Sequence, residues 1–214
     1  MQPSLYPHPD RPTTVVRSFS GPLAAVLAMA FACWGTTPAK AHPHVWIDGD
    51  ATFVFVEGSL EAIDIVWEVD EMISLLLIED FDVDRTGTFS AEQVAALWDG
   101  SFSGLAEFNY FVNLRIDGEA YGIPDIERFD ADIDDGHVVY SFRIPMSAPV
   151  DPREVPVLVG FYDETFFVEV TVPEDRIEFA GTGIPACELR FFNDTENPIY
   201  FGYVDPPMVD LGCS

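Results

Sequence analysis
The chain has 214 residues, 48% of them apolar and 14% aromatic, with 37 acids against 10 bases and a formal charge of −27. So acidic a chain repels nucleic acid and anionic membranes and draws cations through its summed field. The aromatic share excludes an intrinsically disordered acidic polymer, because Phe, Trp and Tyr supply large areas for burial.

The first forty-one residues read as an export signal. Arg11 and Arg17 precede the apolar run PLAAVLAMAFACW, Pro22 to Trp34, and Ala39-Lys40-Ala41 has the small-x-small pattern that signal peptidase reads. Thirteen apolar residues fall short of the roughly 20 that span a bilayer. No later run matches this one, so an exported protein without stable membrane insertion is expected. Cys33 lacks a convincing lipobox, which disfavours a lipid anchor. Cleavage divides the chain into a signal peptide, 1–41, and a single periplasmic domain, 42–214, beginning at His42. The ten bases then fall to seven, all arginine, and the thirty-seven acids to thirty-six, taking the charge from −27 to −29.

Strands come first in the exported part. HVWIDGDATFVFVEG and LEAIDIVWEVD alternate apolar and polar residues and are separated at Gly58-Ser59, the pattern of a β-hairpin. At residues 71 to 80, EMISLLLIED, the period changes to that of a helix, with Met72, Leu75 and Leu76 on one face. A second helical stretch runs from about Ala91 to Phe108 through Val94, Leu97, Trp98 and Leu105, with Gly100 or Gly104 as break points. Strands return at YFVNLRIDG, ERFDADID, HVVYSFRIP, VPVLVGFYD and FFVEVTV. This order predicts an α+β fold, an antiparallel β-rich domain with a helical insertion. Cys187 and Cys213 are expected to form one disulfide tying the tail to the body, given an oxidising compartment.

Between the two helices, DVDRTGTFSAEQ has the frame of an EF-hand calcium loop, in which oxygen ligands recur at positions 1, 3, 5, 7, 9 and 12 around a glycine at 6. Those positions hold Asp82, Asp84, Thr86, Thr88 through its carbonyl, Ser90 and Gln93, with Gly87 at the turn. The ligands are depleted, since Thr86 is a poor substitute for Asp and Gln93 cannot supply a bidentate carboxylate. Weak or absent calcium binding is expected of this degenerate EF-hand-like loop. The overlapping stretch LLLIEDFDVDRT also matches the Asp-x-Asp-x-Thr motif of haloacid-dehalogenase-like phosphatases. That chemistry needs a cation, usually lysine, at the phosphoryl group, and the exported part contains no lysine.

Taken in order, AHPHVWID, WEVDEM, DVDRTGTFSAEQ, LAEFNYF and FYDETFFVEV resemble the exported proteins grouped as domain-of-unknown-function family 1007, from His42 to about Val172. The resemblance implies a periplasmic component of transition-metal transport, partnered by a membrane metal permease or ABC transporter components. No reaction comes with it. Thr86 and Gln93 depart from the family's usual loop.

With cleavage after Ala41, His42 offers an α-amine and an imidazole, and His44 a second imidazole, donors suited to Zn(II), Ni(II), Co(II) or Cu(II). Pro43 has no N–H to lose, which blocks the square-planar amino-terminal site built on deprotonated amides. A chelate of His42 completed by His44 or Asp48 remains open. His137, after the turn Asp134-Asp135-Gly136, is a weaker metal candidate, and Asp163 and Glu164 are expected near a strand end. The expected function is non-catalytic, the binding or delivery of a transition metal for a membrane transport system. The alternative is a scaffold or interaction module of the same system without a metal of its own. A copper oxidase with an amino-terminal histidine brace would need a further suitably placed histidine.

Overall fold
The structure is a computed structural model that describes residues 43–123 and 125–214. The expected signal peptide and His42 lie outside the described residues. Strand β1 (Val45–Val56) turns at Glu57-Gly58 into β2 (Ser59–Val69). Both turn residues have positive φ, 52° and 91°, the geometry that matches the twist of a two-residue hairpin. Along both strands burial alternates: Ile47, Ala51, Phe53 and Phe55 face inward from β1, and Ile65, Trp67 and Val69 from β2. The hairpin read from the sequence is therefore present.

Helix α1 (Glu71–Phe81) and helix α2 (Ala91–Gly100) follow, then a 3-10 segment (Phe102–Phe111) and strand β3 (Val112–Ile116). The helical insertion thus sits between β2 and β3, and its second part breaks after Gly100. Next come β4 (Glu119–Tyr121), β5 (Glu127–Asp134), β6 (His137–Val150), β7 (Val157–Phe161) and β8 (Val168–Thr171). The chain closes with β9 (Ile177–Gly181), β10 (Cys187–Asn193) and β11 (Pro207–Cys213), none of which the sequence reading assigned.

Two sheets result. One is six-stranded, ordered β5-β6-β2-β1-β8 with β9 also on β1; the other is five-stranded, ordered β10-β11-β7-β3-β4. The expectation of an antiparallel domain needs correction at one edge. There β1 runs parallel to β8 over Val45–Asp48 and to β9 over Ala51–Phe55. These two short strands lie end to end along one long strand; β8 is reached from β7 of the other sheet, and β9 follows β8 through the short 172–176 link.

Trp67 joins the two sheets. Its ring meets Phe142 of β6 and Phe161 of β7 edge-on, with centroids 6.1 and 5.9 Å apart. Its Nε1–H donates to the carbonyl of Tyr110 at 3.2 Å. That bond holds Asn109, Tyr110 and Phe111, three consecutive non-glycine residues with φ of 51°, 53° and 63°. Left-handed backbone is costly for residues with a Cβ, and the buried rings of Tyr110 and Phe111 packed in the core offset the cost. Gly49 lies against the six-membered ring of the indole. A Cβ on it would come within 2.1 Å of the Trp67 ring.

Cys187 and Cys213 are directly opposite in the β10–β11 pair and form a disulfide. The bond closes a sheet edge rather than tying a loose tail, because Cys213 ends a strand.

Candidate functional site
Asp70 places the amino-terminal segment. One carboxylate oxygen accepts from the N–H groups of Met72 and Ile73 at 2.9 and 3.1 Å, capping α1, and the other accepts from the N–H of Trp46 at 3.0 Å. A side chain at the helix entrance thereby fixes the start of β1. Ser74, fully buried, adds a second tie, donating to the Val69 carbonyl at 2.8 Å and accepting from the Val138 N–H at 2.9 Å.

Asp163 supports the segment from the opposite edge. Buried in the turn before β8, it accepts from the N–H groups of Thr165, Phe167 and Val168 and from the Thr165 hydroxyl, at 2.6 to 3.0 Å. This carboxylate is a structural brace, and the turn it holds presents Phe167 beneath His44. His44 donates its N–H to the Phe167 carbonyl at 2.9 Å, and the two rings lie 5.0 Å apart. His44 is exposed, with its imidazole resting on an aromatic platform.

Asp48 lies four residues along, on the outward face of β1, opposite Glu68 of β2 and Thr171 of β8. His137 opens β6, and its Nδ1 is 4.0 Å from Glu68 Oε1. Glu68 therefore stands between the rows of His137 and Asp48, and β2 separates His137 from β1, the strand that His44 precedes. Among the described residues no group of three or more His, Cys, Asp or Glu side chains is arranged to hold a metal. His42 lies outside the described residues.

The outward face of the six-stranded sheet is strongly acidic. Asp48, Asp50, Asp64, Glu68, Asp130, Asp132 and Asp134 alternate with inward apolar residues along β1, β2 and β5. Arg143 interrupts the face with a two-pronged pair to Asp64, a contact that raises the guanidinium's pKa. Such a face concentrates cations without fixing them.

The segment from 82 to 93 is closed by its own hydrogen bonds. Asp82, 4% exposed, accepts from the N–H groups of Thr86 and Gly87, each at 3.0 Å. The Gly87 N–H, with that of Thr86, holds the Asp82 carboxyl below its usual range against the opposing effect of burial. The Thr86 hydroxyl donates to the Thr88 carbonyl at 2.9 Å. Ser90 and Gln93 form a capping box at the start of α2: Ser90 N–H donates to Gln93 Oε1 at 2.8 Å, and Gln93 N–H to Ser90 Oγ at 3.3 Å. The Gln93 amide then donates to Asp84 Oδ1 at 2.7 Å. Each residue of the expected calcium set thus has an oxygen engaged within the loop. The Ser-x-x-Gln spacing that signals a capping box was present in the sequence and accounts for Gln93 without a cation.

Two apolar clefts flank β8. One of about 260 Å³ is lined by Phe161, Val170, Val172, Phe191 and Val209, and one of about 140 Å³ by Phe161, Tyr162, Phe166, Ile199 and Val204. Asp163 borders the smaller cleft, and its hydrogen bonds to Thr165, Phe167 and Val168 are all made to its own turn.

The chain is 32% identical over 94 residues to a protein of Spirochaeta aurantia described as an uncharacterized 15.5 kDa protein in the trpE 3' region. The match covers 44% of this chain and 66% of that protein, just under two thirds of its length. An uncharacterized protein of Haemophilus influenzae is 26% identical over 144 residues, 66% of this chain and 68% of the relative. No solved structure matches the chain. The family described as proteins of unknown function, DUF1007, matches residues 27–201, the greater part of the chain, and the chain belongs to that family.

Proposed function
We propose that this protein acts outside the cytoplasm as a non-catalytic accessory of transition-metal transport and takes zinc, nickel, cobalt or copper at its amino-terminal histidines. The observation that carries this reading is the presentation of His44. Its imidazole is exposed and rests on Phe167, two residues along the chain from the one that export would make the first. A ring held on an aromatic surface loses less freedom on binding a metal than one on a frayed terminus. The acidic face beside it raises the local cation concentration. Export itself rests on the leader sequence and the family resemblance.

The test is metal analysis of tag-free protein recovered from the exporting cell, followed by titration with Zn(II) and Cu(II). One bound equivalent, weakened about tenfold by His44→Ala and little by His137→Ala, supports the reading. Equal titration of all three proteins removes His44 from the site.

A further inference from the structure
α1 is apolar on both sides. Ile73, Leu77, Ile78 and Phe81 pack against the core. On the opposite side Met72, Leu75 and Leu76 are 57%, 59% and 55% exposed. At 100° per residue these three positions fall on one stripe, which is the face the sequence periodicity picked out; the structure turns it to solvent. A surface helix normally keeps one polar face, and here the outward face is apolar at its centre.

Acids rim the stripe. By helical position Glu71 stands on one side of it, Asp80 on the other, and Glu79 closes its carboxy-terminal end. Beyond Asp80 the stripe leads into an open groove of about 420 Å³ between the end of α1 and α2, lined by Phe81, Val83, Glu92 and Ala96. From Glu68 to Asp99 the chain carries nine acids and one base, Arg85.

This rim selects the occupant. A second copy joined by a two-fold axis would set Glu71, Glu79 and Asp80 against their own counterparts. An anionic bilayer would meet the same repulsion. A segment with leucine-like side chains on one face and lysines or arginines beside them satisfies both parts of the surface. We propose that the outward face of α1 docks a basic amphipathic helix of a partner protein, with Met72, Leu75 and Leu76 against its apolar face and Glu71, Glu79 and Asp80 against its cations.

The probe is a synthetic amphipathic helix of leucine and lysine, titrated into the full chain as the exporting cell processes it. Saturable binding is expected, weakened at least about tenfold by Leu75→Ser/Leu76→Ser. The pair Glu79→Gln/Asp80→Asn should weaken binding about threefold or more and flatten its salt dependence. All four positions are exposed, so unchanged thermal midpoints confirm that the variants fold. Several results overturn the proposal: no binding at about millimolar peptide, equal binding by the serine variant, or equal binding of a glutamine-for-lysine peptide. So does a wild-type dimer that the serine variant dissolves, or adsorption to anionic vesicles that the same variant loses.

Discussion
Gln93 Nε2 donates to Asp84 Oδ1 at 2.7 Å, so the last residue of the 82–93 loop holds the third by a hydrogen bond. In a calcium loop the corresponding pair would share a cation. The bond relieves one of the two carboxylates at the ligand positions, while the Gly87 and Thr86 N–H groups relieve the other.

Restoring carboxylates should reverse this arrangement. The native loop should bind calcium no tighter than about millimolar, and Thr86→Asp/Gln93→Glu is expected to bind it at least about tenfold more tightly. Glutamate keeps the capping box but loses the amide donor, so without calcium the variant should be about 1 kcal/mol less stable. Calorimetry with calcium, and thermal unfolding with and without it, test both halves. Micromolar binding by the native chain, abolished by Asp82→Ala, would show that Thr86 and Gln93 suffice as ligands.

Gly49→Ala should cost at least about 1 to 3 kcal/mol, the usual range for overpacking. The new methyl would overlap the Trp67 ring, and the ring cannot slide without losing its bond to the Tyr110 carbonyl. Gly104→Ala, with no heavy atom within 4 Å of the new carbon, is the control and should change stability little. Denaturant unfolding followed by tryptophan fluorescence reads both.

Asp194 gives the acid limb of stability a defined contributor. Burial pushes its carboxyl up, and the Arg115 guanidinium and the Asn197 amide outweigh burial, leaving it below the ordinary carboxylate range. A depressed folded pKa contributes stability that is complete above the unfolded value, about 3.9, and is lost as pH falls through the folded value. Asp194→Asn is therefore expected to be less stable than the wild type at neutral pH, with the gap closing as pH drops below about 4. Thermal melts across that range should show the two curves converging; parallel curves would remove Asp194 from the acid response.

The α-amine of His42 is the sharper test of the metal reading. An alanine-extended form keeps both imidazoles and moves the amine out of chelating reach. It should bind Zn(II) or Cu(II) at least about tenfold more weakly, or roughly 1.4 kcal/mol. Binding by the authentic form should strengthen as pH rises, because protons compete with the metal for the same imidazole and amine lone pairs. Identical titrations would exclude the amine as a ligand.

The sequence alone determined the features that depend on neighbours a few residues apart. The β1–β2 hairpin was legible from alternation and a turn glycine, and the two helices from a change of period. The Cys187–Cys213 pair followed from two thiols in an oxidising compartment. Tertiary structure decided what depends on distant partners. β8 and β9 lie parallel to β1, and parallel pairing has no connecting turn to announce it. β9, β10 and β11 escaped notice because partners elsewhere in the chain define them, and β10 is largely exposed. The left-handed run at Asn109–Phe111 depends on the Trp67 indole, forty-three positions away from the carbonyl it holds. The same limit applied to the sites. Which face of α1 would meet the core was a matter of docking, since Met72, Leu75 and Leu76 and the set Ile73, Leu77 and Ile78 are both apolar stripes. Only packing against the sheet settled which stripe was buried.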